Sequence, residues 1–195
     1  YYFHIKIFYF ICIRLFILTI KIYLYRILMK KTNISGLYII NQKVFNDKRG
    51  KFIKAFSKDF VYKKVNTNFK ECYFTKSKKN VIRGIHFQDL KGCAKFVFVL
   101  SGKVIDVIID LRRNSKTYKN IFSIELSEKK KQSIFIPPGC GHAYKVISSN
   151  ATVGYLTTKE YSKIIEKEYL WNSIKFNWKI KNPILSKKDK NAKKL

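Results

Sequence analysis

The chain has little of several things, and each shortage excludes a class of protein. Three prolines and eight glycines rule out collagen-like or proline-rich extended architecture. Four cysteines, none in a C-x-x-C pair, make neither a zinc ribbon nor a dense disulfide framework, and point to a reducing, cytoplasmic setting. Acids are scarce, with 12 Asp+Glu against 41 Lys+Arg, so the formal charge is +29. Arginine is scarce as well: Arg14, Arg26, Arg49, Arg83, Arg112 and Arg113 are the only ones, and lysine supplies the other cations. With Ile, Asn, Phe and Tyr also abundant, this profile reads as the translation of AT-rich codons. We therefore expect a solvated lysine surface and no nucleic-acid face, although the field attracts a polyanionic or nucleotide substrate. Hydrophobic residues at 47% and aromatics at 16% exclude a disordered polycation, and 195 residues suffice for one domain with a true core.

A long uninterrupted hydrophobic run is also missing. Residues 1–28 hold four cations and no acid, and are otherwise almost wholly apolar, but their longest unbroken apolar run is Ile7–Ile13. A membrane span needs about 20 largely uncharged residues, and no small-residue cleavage site follows to make a signal peptide. Lys6, Arg14 and Lys21 leave a basic amphipathic helix open. The chain begins at Tyr1 and its single methionine is Met29. The expectation is that residues 1–28 are upstream sequence read in frame, outside the native protein, and that 29–195 form one domain without membrane contact.

From Met29 onward, short strand-like runs alternate with turn residues. Phe96–Leu100 and Lys103–Leu111 are rich in β-branched and aromatic residues, and Ser101-Gly102 between them predicts a hairpin. Ile121–Leu126 alternates, with Phe122, Ile124 and Leu126 on one face and Ser123 and Glu125 on the other. Lys145–Ser148 and Thr152–Thr157 continue the series across Ser149-Asn150. The stretch Lys159–Tyr169 reads as a short helix or an irregular loop. The lysine-rich segment Ser186–Leu195 reads as a frayed terminus apart from Asp189. Many short strands at near-regular spacing predict an all-β sandwich, jelly roll or barrel.

Outside the leader there are only two histidines, His86 and His142, each beside glycine in a turn-like context. Taken with Arg83 and Lys95 they suit proton transfer on an anionic intermediate: histidine moves protons near neutral pH, and lysine or arginine stabilises an oxyanion. Pro137-x-Gly139-x-x-His142 is the second half of a cupin signature. The first half normally offers H-x-H and an acid, whereas here His86 is followed by Phe87 and Gln88. Two histidines without further ligands make a poor metal site, so a jelly roll without metal or other cofactor is expected.

In order along the chain stand Asp47-Lys48-Arg49-Gly50-Lys51-Phe52, Val81-Ile82-Arg83-Gly84-Ile85-His86-Phe87-Gln88 and Ser101-Gly102-Lys103-Val104-Ile105-Asp106-Val107. These are followed by Ile134-Phe135-Ile136-Pro137-Pro138-Gly139-Cys140-Gly141-His142, Gly154-Tyr155-Leu156-Thr157-Thr158, Trp171-Asn172 and Leu185-Ser186-Lys187-Lys188-Asp189. With these segments the chain resembles the dTDP-4-dehydrorhamnose 3,5-epimerase family. The resemblance implies a homodimeric, cupin-like jelly roll (a double-stranded β-helix) with short helical segments. It also implies cofactor-free epimerisation of a nucleotide-linked 4-keto-6-deoxyhexose at C3, at C5 or at both. It assigns the base to His86, its carboxylate partner to Asp189, the returning acid to Tyr155 and the enolate-stabilising cation to Lys95. Arg83 and His142 line the pocket in this assignment. Arg49 and Phe52 come from the R-G-x-F segment, with Arg49 on the phosphate side. Tyr161 stacks on the base, and Glu166 and Lys188 are further substrate contacts.

The chain departs from the family pattern at Lys54, where the family carries glutamate, and at Glu71-Cys72-Tyr73, where it carries Gln-x-Asn. Cys72, Cys93 and Cys140 carry no assigned chemistry and are expected to be small buried residues. The alternatives are a related 4-keto-sugar isomerase or a catalytically silent sugar-binding cupin on the same fold.

Overall fold

A computed structural model describes residues 12–17, 19, 29–57, 65, 68–88, 92–160 and 166–195. Its frame is one pair of long antiparallel strands, β7 (Lys95–Asp110) and β10 (Cys140–Thr157), in register from Cys140↔Asp110 to Thr157↔Lys95. Each half of this ribbon has its own neighbours. Beyond the first half of β7 lies β9 (Gln132–Ile136), and beyond its second half β8 (Ile121–Ser127). Beyond β10 lie β6 (Ile82–Phe87) and then β5 (Glu71–Lys78). At the edges β9 carries β2 (Tyr38–Asn41) and β1 (Met29–Lys31), and β6 carries β11 (Lys167–Glu168). A separate hairpin pairs β3 (Lys43–Asp47) with β4 (Gly50–Lys54). This is the all-β jelly roll that the sequence predicts.

The hairpin expected at Ser101-Gly102 is not a hairpin. Ser101-Gly102 and Ser149-Asn150 lie inside β7 and β10, and mark the corner where the paired strands bend together. Between Val146 and Ala151 the register of β10 on β7 shifts, as it does again beside Val153. Gly102 sits at φ +78°, and a Cβ there would stand 2.1 Å from the Asn150 carbonyl oxygen. The glycine serves the close crossing of two strands at a bend, a use that looks the same as a tight turn in one dimension.

The corner reverses the alternation, which decides what faces inward. Before it Val97 and Val99 enter the central core, and after it Val104 and Ile108 do; on β10 Tyr144 and Val146 give way to Ala151, Val153 and Tyr155. Leu126, with Phe122 and Ile124 packed against it, confirms the predicted inner face of β8. The outward residues of β7 are covered in turn: Phe96 joins Ile40, Phe135 and Val65, while Val107 and Ile109 pack under Ile174 and Trp178 of the C-terminal segment. That segment is not frayed. Ser186 caps a short helix, Lys187–Lys190, in which Asp189 is buried. Of the stretch read as helix or loop, residues 161–165 lie outside the described residues, and Lys167–Glu168 form β11 on β6. No helix among the described residues is long and apolar enough to cross a membrane.

Candidate active site

Followed toward one end of the roll, the inward positions change from apolar to polar. On β7 the series Val99, Val97 ends at Lys95, and on β10 Val153 is followed by Tyr155. β5 adds Thr75, Tyr73 and Glu71, and β6 adds Arg83 and His86. All but the valines line a cavity of about 380 Å³. Arg83 and His86 would face opposite sides of a regular strand. The register of β6 on β10 shifts between them, with His142↔His86 but Tyr144↔Arg83. The extra residue falls at Gly84, whose φ is +107° and where a Cβ would lie 2.4 Å from the His142 carbonyl oxygen. Glycine thus permits the bulge that turns both side chains into one site.

His86 Nε2 lies 2.8 Å from Asp189 Oδ1, and the two side chains are 29% and 4% exposed. The Ser186 hydroxyl donates to the other carboxylate oxygen at 2.8 Å and accepts from the Asp189 N–H at 3.0 Å. Burial pushes the Asp189 carboxyl up, but hydrogen bonds from His86, Ser186 and the Gly84 backbone outweigh it, and its pKa falls below the ordinary aspartate value. The carboxylate is thereby kept charged beside the imidazole. A second such pair is fully buried: His142 Nε2 stands 3.0 and 2.9 Å from the two oxygens of Asp106.

Lys95 is half-buried in the cavity wall, and burial lowers its pKa, with the carboxylates of Glu166 and Asp106 opposing part of the shift. Tyr155 is buried, and burial raises its phenol well above the ordinary value, with Tyr144 and Asp106 adding to the shift. It is therefore a proton donor throughout the neutral range. The Tyr144 hydroxyl, below it, bonds Thr75 at 2.8 Å and Ser77 at 3.3 Å, and Arg83 Nε donates to Ser77 at 3.0 Å. At the mouth Lys188 bridges Glu166, at 2.8 Å, and Glu168. Both described histidines direct one ring nitrogen at an aspartate. Among the described residues no three His, Cys, Asp or Glu side chains are grouped as metal ligands.

The family model described as dTDP-4-dehydrorhamnose 3,5-epimerase matches residues 31–195. The chain belongs to this family. It is 36% identical to the dTDP-4-dehydrorhamnose 3,5-epimerase of Shigella flexneri, over 84% of this chain and 93% of that one. A crystal structure of the Bacillus anthracis enzyme with TDP and PPi bound superposes with a TM-score of 0.81 at 30% identity, covering 86% of this chain and 99% of that one. The Legionella pneumophila enzyme in complex with dTDP-4-keto-L-rhamnose gives 0.78 at 31% identity, covering 85% and 90%. The chain is thus an isomerase acting on carbohydrates, of the family that epimerises dTDP-linked 4-keto-6-deoxy sugars in rhamnose-type deoxysugar synthesis.

Of the residues that the resemblance to this epimerase family implies, the structure gathers His86, Tyr155, Asp189, Lys95, Arg83, His142, Glu166 and Lys188 around one cavity. It does not bring Arg49 or Phe52 there. Both stand on the β3–β4 hairpin, where Arg49 is 86% exposed and pairs with Asp47 at 2.7 Å. Tyr161 lies outside the described residues. Sequence reasoning missed Asp106, Tyr144 and Thr75, and saw Glu71 and Tyr73 only as departures. Asp106 did carry a signal: it alternates with Val104 and Ile108 at inward positions, and a carboxylate there must have a partner.

The depressed Asp189 pKa makes a stability prediction. A carboxyl with a lower pKa folded than unfolded contributes stability that is complete above about pH 4 and lost as pH falls through the folded value. Thermal melts from pH 6 to pH 2 should therefore show a steeper acid loss for the native chain than for Asp189→Asn. The variant keeps a residual slope from Asp110, whose carboxyl is held at about 2 against burial by Arg112, Ser115 and Thr117. Parallel curves would show that Asp189 is not held as a carboxylate.

Proposed function

We propose that His86 is the base that removes the protons at C3 and C5 of a dTDP-linked 4-keto-6-deoxyhexose, and that Tyr155 returns them from the other face. The C4 ketone acidifies both positions, because each carbanion is delocalised onto the carbonyl oxygen as an enolate. The hydrogen bond between Nε2 and Asp189 leaves Nδ1 to accept the proton. The carboxylate then stabilises the imidazolium, as in other histidine–acid pairs. A positioned base is worth about 10²–10⁴-fold in rate. Lys95, with Arg83 and His142, faces the developing enolate charge, and one such donor is worth about 10²–10³-fold. The proton leaves carbon for His86 and carbon receives another from the Tyr155 phenol; the imidazolium then loses its proton to solvent and the phenolate regains one from it, so configuration inverts with no net change in composition. Glu166 and Lys188 hold the substrate at the mouth.

The observation that carries this reading is the His86–Asp189 pair in the same cavity as a buried, protonated Tyr155 and a half-buried Lys95. The domain from Met29 onward carries the activity, which agrees with the family match over residues 31–195. The enzyme acts as a homodimer in the cytoplasm. Supporting this, the β3–β4 hairpin joins no other strand among the described residues, and Phe45 and Phe52 on it are 52% and 61% exposed. Reaching across to a second copy, the hairpin covers these rings and brings Arg49 and Phe52 to that copy's cavity, where the guanidinium meets the diphosphate.

The test is incubation with dTDP-4-keto-6-deoxyglucose in deuterated water, followed by NMR. His86→Ala should abolish deuterium wash-in at both carbons. Tyr155→Phe should retain wash-in while inverted product falls by about 10²–10⁴-fold, because the enolate is reprotonated from the face it left. Undiminished exchange in His86→Ala overturns the base assignment, and equal loss of exchange and inversion in Tyr155→Phe overturns that of the acid. Light scattering on the protein begun at Met29 should give twice the chain mass, and an active monomer contradicts the dimer.

A further inference from the structure

Tyr73 has no part in the reaction set out above, yet its ring lies flat against that of Tyr155. The two residues face each other in register across β5 and β10. Their rings stack with centroids 4.9 Å apart and planes 14° from parallel. The His142 ring meets Tyr155 edge-on, at 6.1 Å and 67°. His142 is itself fixed by both oxygens of the buried Asp106. Tyr155 is thus held by a flat ring and an anchored edge.

The stack is directional. Two dihedrals aim a tyrosine hydroxyl, and turning either one tilts or slides the ring out of a parallel contact. An offset-parallel neighbour therefore restricts the angle of the ring as well as filling space. Proton return needs that restriction, because a donor must lie along the line of the carbon it protonates, and small misplacements weaken such a step strongly. Tyr73 is 37% exposed at the rim of the roll while Tyr155 is 6% exposed, so the outer ring backs the inner one without supporting the core.

We propose that Tyr73 is a positioning residue that, through its ring face, holds the Tyr155 phenol in line for proton return. The proposal rests on the reading of Tyr155 as the acid. It assigns the work to the aromatic face of Tyr73 and not to its hydroxyl. It also separates two quantities that a binding or structural role would move together: deuterium wash-in, which needs His86, and inversion, which needs a correctly aimed Tyr155.

The experiment measures the ratio of inverted product to deuterium wash-in at C3 and C5 for the full chain and four variants. Tyr73→Phe keeps the ring and should stay within about twofold of the native ratio. Tyr73→Leu, which keeps bulk, and Tyr73→Ala should each lower the ratio by about 3- to 10-fold, the range one aromatic pair commands. Their wash-in should stay within about twofold. An unchanged ratio in Leu and Ala, an equal fall of wash-in and inversion, or failure of both variants to fold would overturn the proposal. So would a Phe variant as impaired as Leu. Tyr155→Phe separates the two claims. If it leaves the ratio intact, the acid assignment fails and the proposal with it. If it collapses the ratio while Leu and Ala do not, only the positioning role fails.

Discussion

Everything in this molecule is referred to the pairing of β7 with β10. The ribbon bends once, at Gly102 and Asn150, and the bend exchanges which residues face inward. Strands added to its two edges close the roll, and its inner face runs from the aliphatic cluster around Val97, Val104 and Ile108 to the polar end that holds Lys95 and Tyr155. Without the shift at the corner, Tyr155 and His142 would lie on opposite sides of the sheet. The cavity lined by His86, Lys95 and Tyr155 is the open, polar end of the same interior that supplies the core.

A cavity built this way must manage buried charge. Isolated carboxylates in an aliphatic roll would be protonated or would unfold it. Asp106 and Asp189 avoid this by each taking one imidazole, and Asp189 also takes a hydroxyl and a backbone N–H. Among the described residues no buried side-chain polar atom is left without a partner. The C-terminal segment belongs to this arrangement. By docking against β6 with Ile184 beside Val81, it sets Asp189 behind His86, so that the imidazole and its carboxylate partner come from positions 103 residues apart.

Much of this was legible in the sequence, and the failures have physical causes. Alternation in Ile121–Leu126 gave the right face because period two survives wherever a strand is regular. Ser101-Gly102 misled because a glycine at positive φ serves a hairpin turn and a strand corner equally well, and only the identity of the partner strand separates the two. The tail read as frayed because a single acid among lysines has no periodicity; the family resemblance, not the pattern, singled out Asp189. Arg49 and Phe52 were legible as motif residues, but their distance from the cavity depends on where a two-stranded hairpin docks. Asp106 was legible in principle, as a charged residue in a run whose alternate members are buried valine and isoleucine. The net charge of +29 located nothing, because it is spread over a lysine surface.

The central claim is that Asp189 fixes the tautomer of His86, leaving Nδ1 as the basic nitrogen. Long-range nitrogen–proton NMR on protein labelled in its histidines tests it directly. At a pH where His86 is neutral, the proton should reside on Nε2, and Asp189→Asn should disturb that preference. A His86 protonated on Nδ1, or one whose tautomer ignores Asp189, would contradict the account.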